Sequence, residues 1–460
     1  MMKTFNIGGA HPNDNKISKD AAIEDFPIVK KAYIPMAQHI GAPAKPIVAV
    51  GDYVKVGQKI AEAGGFISAN IHSSVSGKVQ AIKPVADLAG RPVNTIIINV
   101  EGDEWLDSID RSPEINSNIT LSSKEIIDKV KECGVVGMGG ASFPTNVKLS
   151  PPPGNKAEFL LINCAECEPY LTSDYRLMLE QPEQIFVGAA VIMKALNVDV
   201  CKIGVEENKP DAIAKLQSFE SKYTGIKVVP LKKKYPQGGE KQLIQAMTGR
   251  YVGSGKLPIS VGAVVQNCAT AIAVYEAVQK NKPLFEGVIT VTGDCLPVQK
   301  NLKLRVGTPM NEIMDYIGGV PEEAVKLISG GPMMGKAIAN LNAPTVKASS
   351  AILALTADQT LRKEESNCIR CGKCIDACPM GLEPYLLIRY TKRNNLEELE
   401  KNDVFDCIEC GCCLYTCPAN IPLLDYIRVG KADVMGVIRG RAAAKRAAAQ
   451  NKPENNKKEK

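Results

Sequence analysis

Nine of the chain's 15 cysteines fall between residues 368 and 417, in two runs of one spacing. The first is Cys368-x2-Cys371-x2-Cys374-x3-Cys378-Pro379, and the second is Cys407-x2-Cys410-x2-Cys413-x3-Cys417-Pro418. Three thiolates two residues apart wrap one face of an iron–sulfur cubane. The fourth, turned away before proline, reaches the neighbouring cubane. The spacing therefore predicts two [4Fe–4S] clusters, one held by Cys368, Cys371, Cys374 and Cys417, the other by Cys407, Cys410, Cys413 and Cys378. Cys412 interrupts the pattern and is left over. Structural zinc is the alternative, but zinc sites rarely show two copies of this four-cysteine spacing. An odd cysteine count, in a chain whose first residues Met1–Phe5 have no apolar core, does not read as a disulfide framework. Two clusters carry electrons singly, so any hydride chemistry has to reside elsewhere in the chain.

A chain of 460 residues has room for several domains, and its text changes character along its length. Residues 1–30 are turn-rich and polar. Over 31–105, short apolar pieces alternate with glycines, as in Gly51–Ala61 and Ser76–Val79, which predicts a small β-sandwich. This piece resembles the biotinyl/lipoyl hammerhead domains, but the hairpin Asn70-Ile71-His72-Ser73-Ser74 lacks their cofactor-carrying lysine, so a barrel-sandwich scaffold is expected. Ser122-Ser123-Lys124-Glu125 offers a capping box. From about 120 to 280, helical and strand text alternate, which predicts an α/β domain. Residues 285–340 read as two strands, a helix and a further strand, a β-grasp-like (SLBB-type) module, followed by a linker through Asn342-Ala343-Pro344. The double ferredoxin domain occupies 360–430, with helical text over Tyr385–Glu400 that favours an α-helical ferredoxin type. The expected fold class is thus multidomain, α/β and α+β.

Charge is placed unevenly. Eight of the 56 Lys and Arg and two of the 50 Asp and Glu lie in residues 439–460, so the whole net charge of +6 belongs to this basic tail. The balanced body gives no electrostatic reason to bind nucleic acid. The tail reads as a solvated end or as a contact for an anionic surface such as a membrane leaflet. No apolar stretch reaches the roughly 18–20 residues of a membrane span.

Three motifs suggest where hydride chemistry could reside. Gly137-Met138-Gly139-Gly140-Ala141-Ser142-Phe143-Pro144 is a glycine-rich loop without the Rossmann fingerprint. Asn163-Cys164-Ala165-Glu166-Cys167-Glu168-Pro169 follows a strand, at the sheet edge where α/β ligands bind. Gly238-Gly239-Glu240-Lys241 precedes a helix, whose first N–H groups can hold an anion. With Gln266–Thr270, these motifs resemble the flavin- and NADH-binding subunit of respiratory complex I. Over residues 5–430 the chain more closely resembles the RnfC/RsxC family of the Rnf ion-translocating electron-transport complexes. That resemblance also rests on Gly8–Pro12, Gln38–Gly41 and Ser329–Gly335.

The resemblance implies that Gly137, Gly139, Lys148, Asn163, Gly239, Glu240 and Asn267 contact FMN. It places Gly140, Phe143 and Glu168 toward NADH, with Glu168 as the catalytic carboxylate. Met138, Ala165 and Lys241 depart from the complex I pattern, which has Arg, Asp and Glu there. It further implies a peripheral protein on the cytoplasmic face of the inner membrane, an ion-transporting ferredoxin:NAD oxidoreductase component. Its partners would be the other subunits of the complex, NAD(H) and, indirectly, ferredoxin. A diaphorase-type subunit of a soluble hydrogenase or formate dehydrogenase, and a non-catalytic iron–sulfur scaffold, are the competing readings. Cys164 and Cys167 read as buried thiols at the flavin edge rather than half a metal site. His11, His39 and His72 are the chain's three histidines, so a histidine triad in the α/β domain is not expected.

Overall fold

A computed structural model describes residues 2–450, with side chains through residue 445. The described chain forms two compact units: residues 2–6, 11–252 and 256–361 in one, and 7–10, 253–255 and 362–450 in the other.

The larger unit holds three sheet systems. The first is a sandwich of a four-stranded sheet (Lys31–Pro35, Pro92–Val100, Gly77–Ala86, Tyr53–Val54) and a three-stranded one (Lys45–Pro46, Lys59–Glu62, Ile71–His72). Ile34, Val54, Ile60, Val79, Ile96 and Ile98 fill the core between the sheets.

The second is a parallel sheet in the order Ile226–Leu231, Cys201–Glu206, Phe159–Cys164, Ala263–Asn267. These strands are nearly unbroken apolar runs because helices cover both faces. The capping box is formed: the Ser122 side chain accepts from Glu125 N and starts the helix Ser123–Glu132, which buries Ile126 and Val130. The helices Pro182–Leu196 and Cys268–Gln279 pack against the sheet and supply much of its core.

The third system is a six-stranded mixed sheet in the order Ile23–Asp25, Lys300–Arg305, Glu286–Thr292, Ala351–Thr356, Ala324–Ser329, Lys336–Ala337. It corrects the expected 285–340 boundary. Ala351–Thr356 is a central strand, parallel to Glu286–Thr292 and antiparallel to Ala324–Ser329, and the N-terminal segment adds Ile23–Asp25 at one edge. The expected linker at Asn342–Pro344 is packed chain: Ala343 and Thr345 are buried, and their backbones bond to Met310 and Gly307. The short run Ala351-Ile-Leu-Ala-Leu-Thr356 is buried on both faces and carries no alternation to mark it as a strand.

In the smaller unit the two cysteine runs fold alike. Arg370 and Gly372 have positive φ, as do Glu409 and Gly411 at the matching places of the second run; Gly381 and Asn420 form a third such pair. Each run then enters a one-turn helix, Lys373–Asp376 or Cys412–Tyr415. The expected single helical stretch Tyr385–Glu400 is two helices, Pro384–Lys392 and Leu396–Lys401, because Asn394 takes a left-handed conformation between them. The helix Leu423–Gln450 runs into the basic tail, and Arg441 pairs with Glu400; residues 451–460 lie outside the described residues. No described helix is long and apolar enough to cross a membrane.

Candidate functional site

Four loops converge on one edge of the parallel sheet. Asn163 and Asn267 are register partners at the ends of adjacent parallel strands. The Asn163 amide donates to Gly238 O (2.8 Å), drawing in the 236–239 loop, and its Oδ1 accepts from Ala165 N. Asn267 caps the next helix by accepting from Ala269 N and Thr270 N, and donates to Asp174 Oδ2 at 2.7 Å. The glycine loop closes through Gly137 N to Phe143 O (2.9 Å) and is tied down by Met138 N to Thr270 Oγ1. Gly139 has to be glycine here: a Cβ would lie 2.8 Å from Asn267 Nδ2 and 2.9 Å from its Cβ. A Cβ on Gly140 would meet nothing within 4 Å, so space there is open.

Lys148 and Glu240 meet at 2.6 Å, both partly exposed, so the pair adds little stability and can exchange for a ligand. The helix Glu240–Thr248 begins at Gly239 with no side-chain cap. A lysine beside the first turn of a helix is donor chemistry that fits the phosphate of a flavin nucleotide.

Glu168 lies on the same edge, with its carboxylate already engaged. Oε1 accepts from Met334 N (2.8 Å) and Tyr235 Oη (3.2 Å), and Oε2 from Met333 N (3.1 Å). Glu168 does not cap the helix that follows it. That helix is Ser173–Glu180, and Glu166 accepts from its Asp174 and Tyr175 N–H groups.

Sequence reasoning missed a charged layer beneath this edge. Lys16 Nζ donates to the carbonyls of Glu166 (2.8 Å), Glu168 (2.9 Å) and Leu171 (2.6 Å). Lys209 Nζ donates to Ala165 O (2.8 Å) and lies 3.6 Å from Glu206. Burial pushes the carboxyls of Glu166, Glu168, Asp174 and Glu206 up and the Lys16 amine down. The layer rigidifies the Asn163–Pro169 turn. Cys164 is buried, and Cys167 accepts from Gly238 N at 3.3 Å, a thiol pushed up by burial.

In the smaller unit, Cys378, Cys407, Cys410 and Cys413 line one apolar cavity together with Leu387 and Ile427. One cysteine of the first run thus meets three of the second. A cubane's thiolates bind separate iron atoms and need not converge on one point; among the described residues no three His, Cys, Asp or Glu converge as a single ion requires. The cavity's cysteines and apolar wall fit a cluster. Of the other four, Cys368 and Cys371 are exposed, while Cys374 and Cys417 are half-buried and close enough to interact. Cys412 is buried beside Cys410.

The chain is 48% identical over 437 residues to the C component of the proton-translocating ferredoxin:NAD(+) oxidoreductase complex of Clostridium ljungdahlii, covering 94% of each chain. It belongs to the RnfC family. A second member, from the Na(+)-translocating ferredoxin:NAD(+) oxidoreductase complex of Acetobacterium woodii, is 43% identical over 93% of this chain and 96% of its own. The corresponding component of an ion-translocating oxidoreductase complex of Rhodobacter capsulatus is 42% identical over 94% of this chain and 83% of its own. Three family models match: the RnfC barrel sandwich hybrid domain over residues 3–103, the Nuo51 FMN-binding domain over 130–276 and the 4Fe-4S dicluster domain over 360–418. This RnfC protein is therefore a multidomain α/β chain with a barrel-sandwich domain, an FMN-binding domain and a dicluster domain.

Proposed function

We propose that this chain is the electron-input subunit of an ion-translocating ferredoxin:NAD(+) oxidoreductase, exchanging hydride between NAD(H) and FMN in its α/β domain and passing single electrons through its dicluster domain. The observation that carries the reading is the near-full-length match to RnfC relatives, with the FMN-binding and 4Fe-4S domains in one order. Bound FMN and [4Fe–4S] clusters supply the conversion between two-electron and one-electron chemistry.

The chain's own residues bind and orient. Gly137, Gly139 and Asn267 form the backbone wall of the flavin site, with Asn163 fixing the facing loop. Lys148 and the first turn at Gly239–Glu240 hold the phosphate. Gly140 and Phe143 face the nicotinamide side. Glu168 stands there too. Oε2 accepts one hydrogen bond within the chain, which leaves a lone pair for a nucleotide amide or hydroxyl. Cys368, Cys371, Cys374 and Cys417 hold one cluster, and Cys378, Cys407, Cys410 and Cys413 the other.

The two-sheet N-terminal domain is a lipoyl-like scaffold without a swinging lysine. The six-stranded sheet is β-grasp-like, and the dicluster domain is of the α-helical type. The protein works peripherally, on the cytoplasmic face of the membrane, against the membrane subunits of the complex.

Anaerobic purification followed by iron, sulfide and flavin analysis tests the assignment. Roughly eight iron and eight sulfide per chain are expected, together with one flavin. Full iron without flavin under flavin-replete conditions would leave a cluster scaffold instead.

A further inference from the structure

The N-terminal segment Ile7–Ala10 folds with the cysteine-rich unit, far from it in sequence. Gly9 N donates to Ala377 O at 2.9 Å. Gly8 lies flat on the next peptide: a Cβ there would sit 2.4 Å from both the carbonyl carbon and oxygen of Cys378 and 2.6 Å from Pro379 N. Gly8 also has φ +63, in the left-handed region. The position thus excludes a side chain twice, by space and by conformation. Cys378 itself is buried at 8% exposure, and its sulfur accepts from Leu382 N. Cys417, the counterpart in the second run, is half-buried. The two runs share their backbone turns but differ in the burial of this cysteine.

We propose that Ile7–Ala10 is a cover that positions Cys378 and holds down the reduction potential of the cluster Cys378 ligates. The inference rests on the cluster assignment above and adds a role for Gly8 and Gly9. Cluster potentials respond to solvent exposure and to hydrogen bonds at the sulfurs. A reduced cluster carries one more negative charge than an oxidised one, and water stabilises that extra charge. Keeping water from Cys378 therefore disfavours reduction. Lifting the segment admits water and moves the potential upward. A merely structural role, ending the Lys373–Asp376 turn by donating to Ala377 O, would leave the potential alone.

The test uses the full chain, purified anaerobically, as wild type, Gly8→Val and a deletion of residues 2–10. Each is titrated potentiometrically by electron paramagnetic resonance, with Cys378→Ala identifying the second cluster's signal. Iron release to a chelator is followed on the same samples. In both variants the second cluster's midpoint should move positive and its half of the iron should leave faster, with the first cluster unchanged. Loss of the second cluster alone also supports the cover. Unchanged midpoints and release rates in both variants would overturn it, as would a shift or loss that takes the first cluster as well. Wild-type protein with far fewer than eight iron would instead overturn the cluster assignment beneath it.

Discussion

Glu168 joins the flavin-side turn to the Gly330–Gly335 loop, and Glu168→Gln should open that loop. The carboxylate accepts three hydrogen bonds, from Met333 N, Met334 N and the Tyr235 hydroxyl, in a part-buried setting. A glutamine keeps one accepting oxygen, enough for Met334 and Tyr235. Its amide nitrogen then faces Met333 N–H, donor against donor. A fully buried donor left without a partner costs about 1–3 kcal/mol, which is the ceiling for this part-buried one. Burying a neutral amide in place of a carboxylate recovers part of that. The loop's local opening free energy should fall by up to this amount, which weakens hydrogen-exchange protection at Met333 and Met334 by roughly five- to 150-fold at the quoted limits.

The assay is hydrogen exchange by mass spectrometry on peptides spanning residues 330–336, with the parallel sheet as internal reference. Gly331→Ala provides an independent route, since its Cβ would lie 2.1 Å from Glu168 Oε2 and should drive the loop off. Unchanged exchange in both variants, with the sheet equally protected, would refute the clamp. An NADH titration on the Glu168→Gln protein separates the clamp from direct nucleotide contact. Loss of a charge-assisted contact of about 1.5–3 kcal/mol weakens affinity by one to two decades, whereas a clamp role shows mainly in exchange.

Three further outcomes are expected. Cys378→Ala should remove roughly half the iron although Cys378 lies in the first run, whereas Cys412→Ala should leave iron content unchanged; loss of the first cluster in Cys378→Ala would contradict the crossed pairing. Gly139→Val should abolish flavin binding, because its side chain needs the space Asn267 fills, while dithionite still reduces both clusters; normal flavin content would misplace the site. Lys347 is buried with its Nζ 2.7 Å from the carbonyls of Asn70 and Gly134, and burial pushes its amine down from 10.5 to about 7. The native state prefers the neutral amine while the unfolded chain keeps the proton, so this group adds stability as pH rises from about 7 toward 10 and withdraws it as pH falls. The melting temperature of Lys347→Met should rise less steeply over that window than wild type, and parallel curves would remove Lys347 as a source of pH dependence.

The cysteine spacing carried the most information because cluster ligation is local: a run of eleven residues encodes three ligands and a turn. The strand Phe159–Cys164 and the turn after it were legible for the same reason, a continuous apolar run ending at polar residues. What escaped was non-local. Lys16 binds three carbonyls some 150 residues away, and nothing around Lys16 in the sequence marks it as more than a surface lysine. Met333 and Met334 contribute to Glu168 only through backbone N–H groups, which leave no trace in side-chain identity. Gly8 and Gly9 read as turn residues, because a glycine needed for close approach looks the same as one needed for a turn. The strand Ala351–Thr356 was hidden by its burial on both faces, which removes the alternation that identifies an edge or surface strand.

The central claim, that one chain converts hydride chemistry into single-electron flow, is tested most directly by mixing the anaerobic, flavin-loaded protein with NADH. The flavin absorbance and the paramagnetic resonance of the clusters are followed together. The flavin band should bleach on NADH addition and reduced-cluster signal should follow in the wild type, and neither should change in Gly139→Val. Cluster reduction by NADH in a flavin-free Gly139→Val protein, or a flavin that NADH leaves oxidised while dithionite reduces it, would contradict the account.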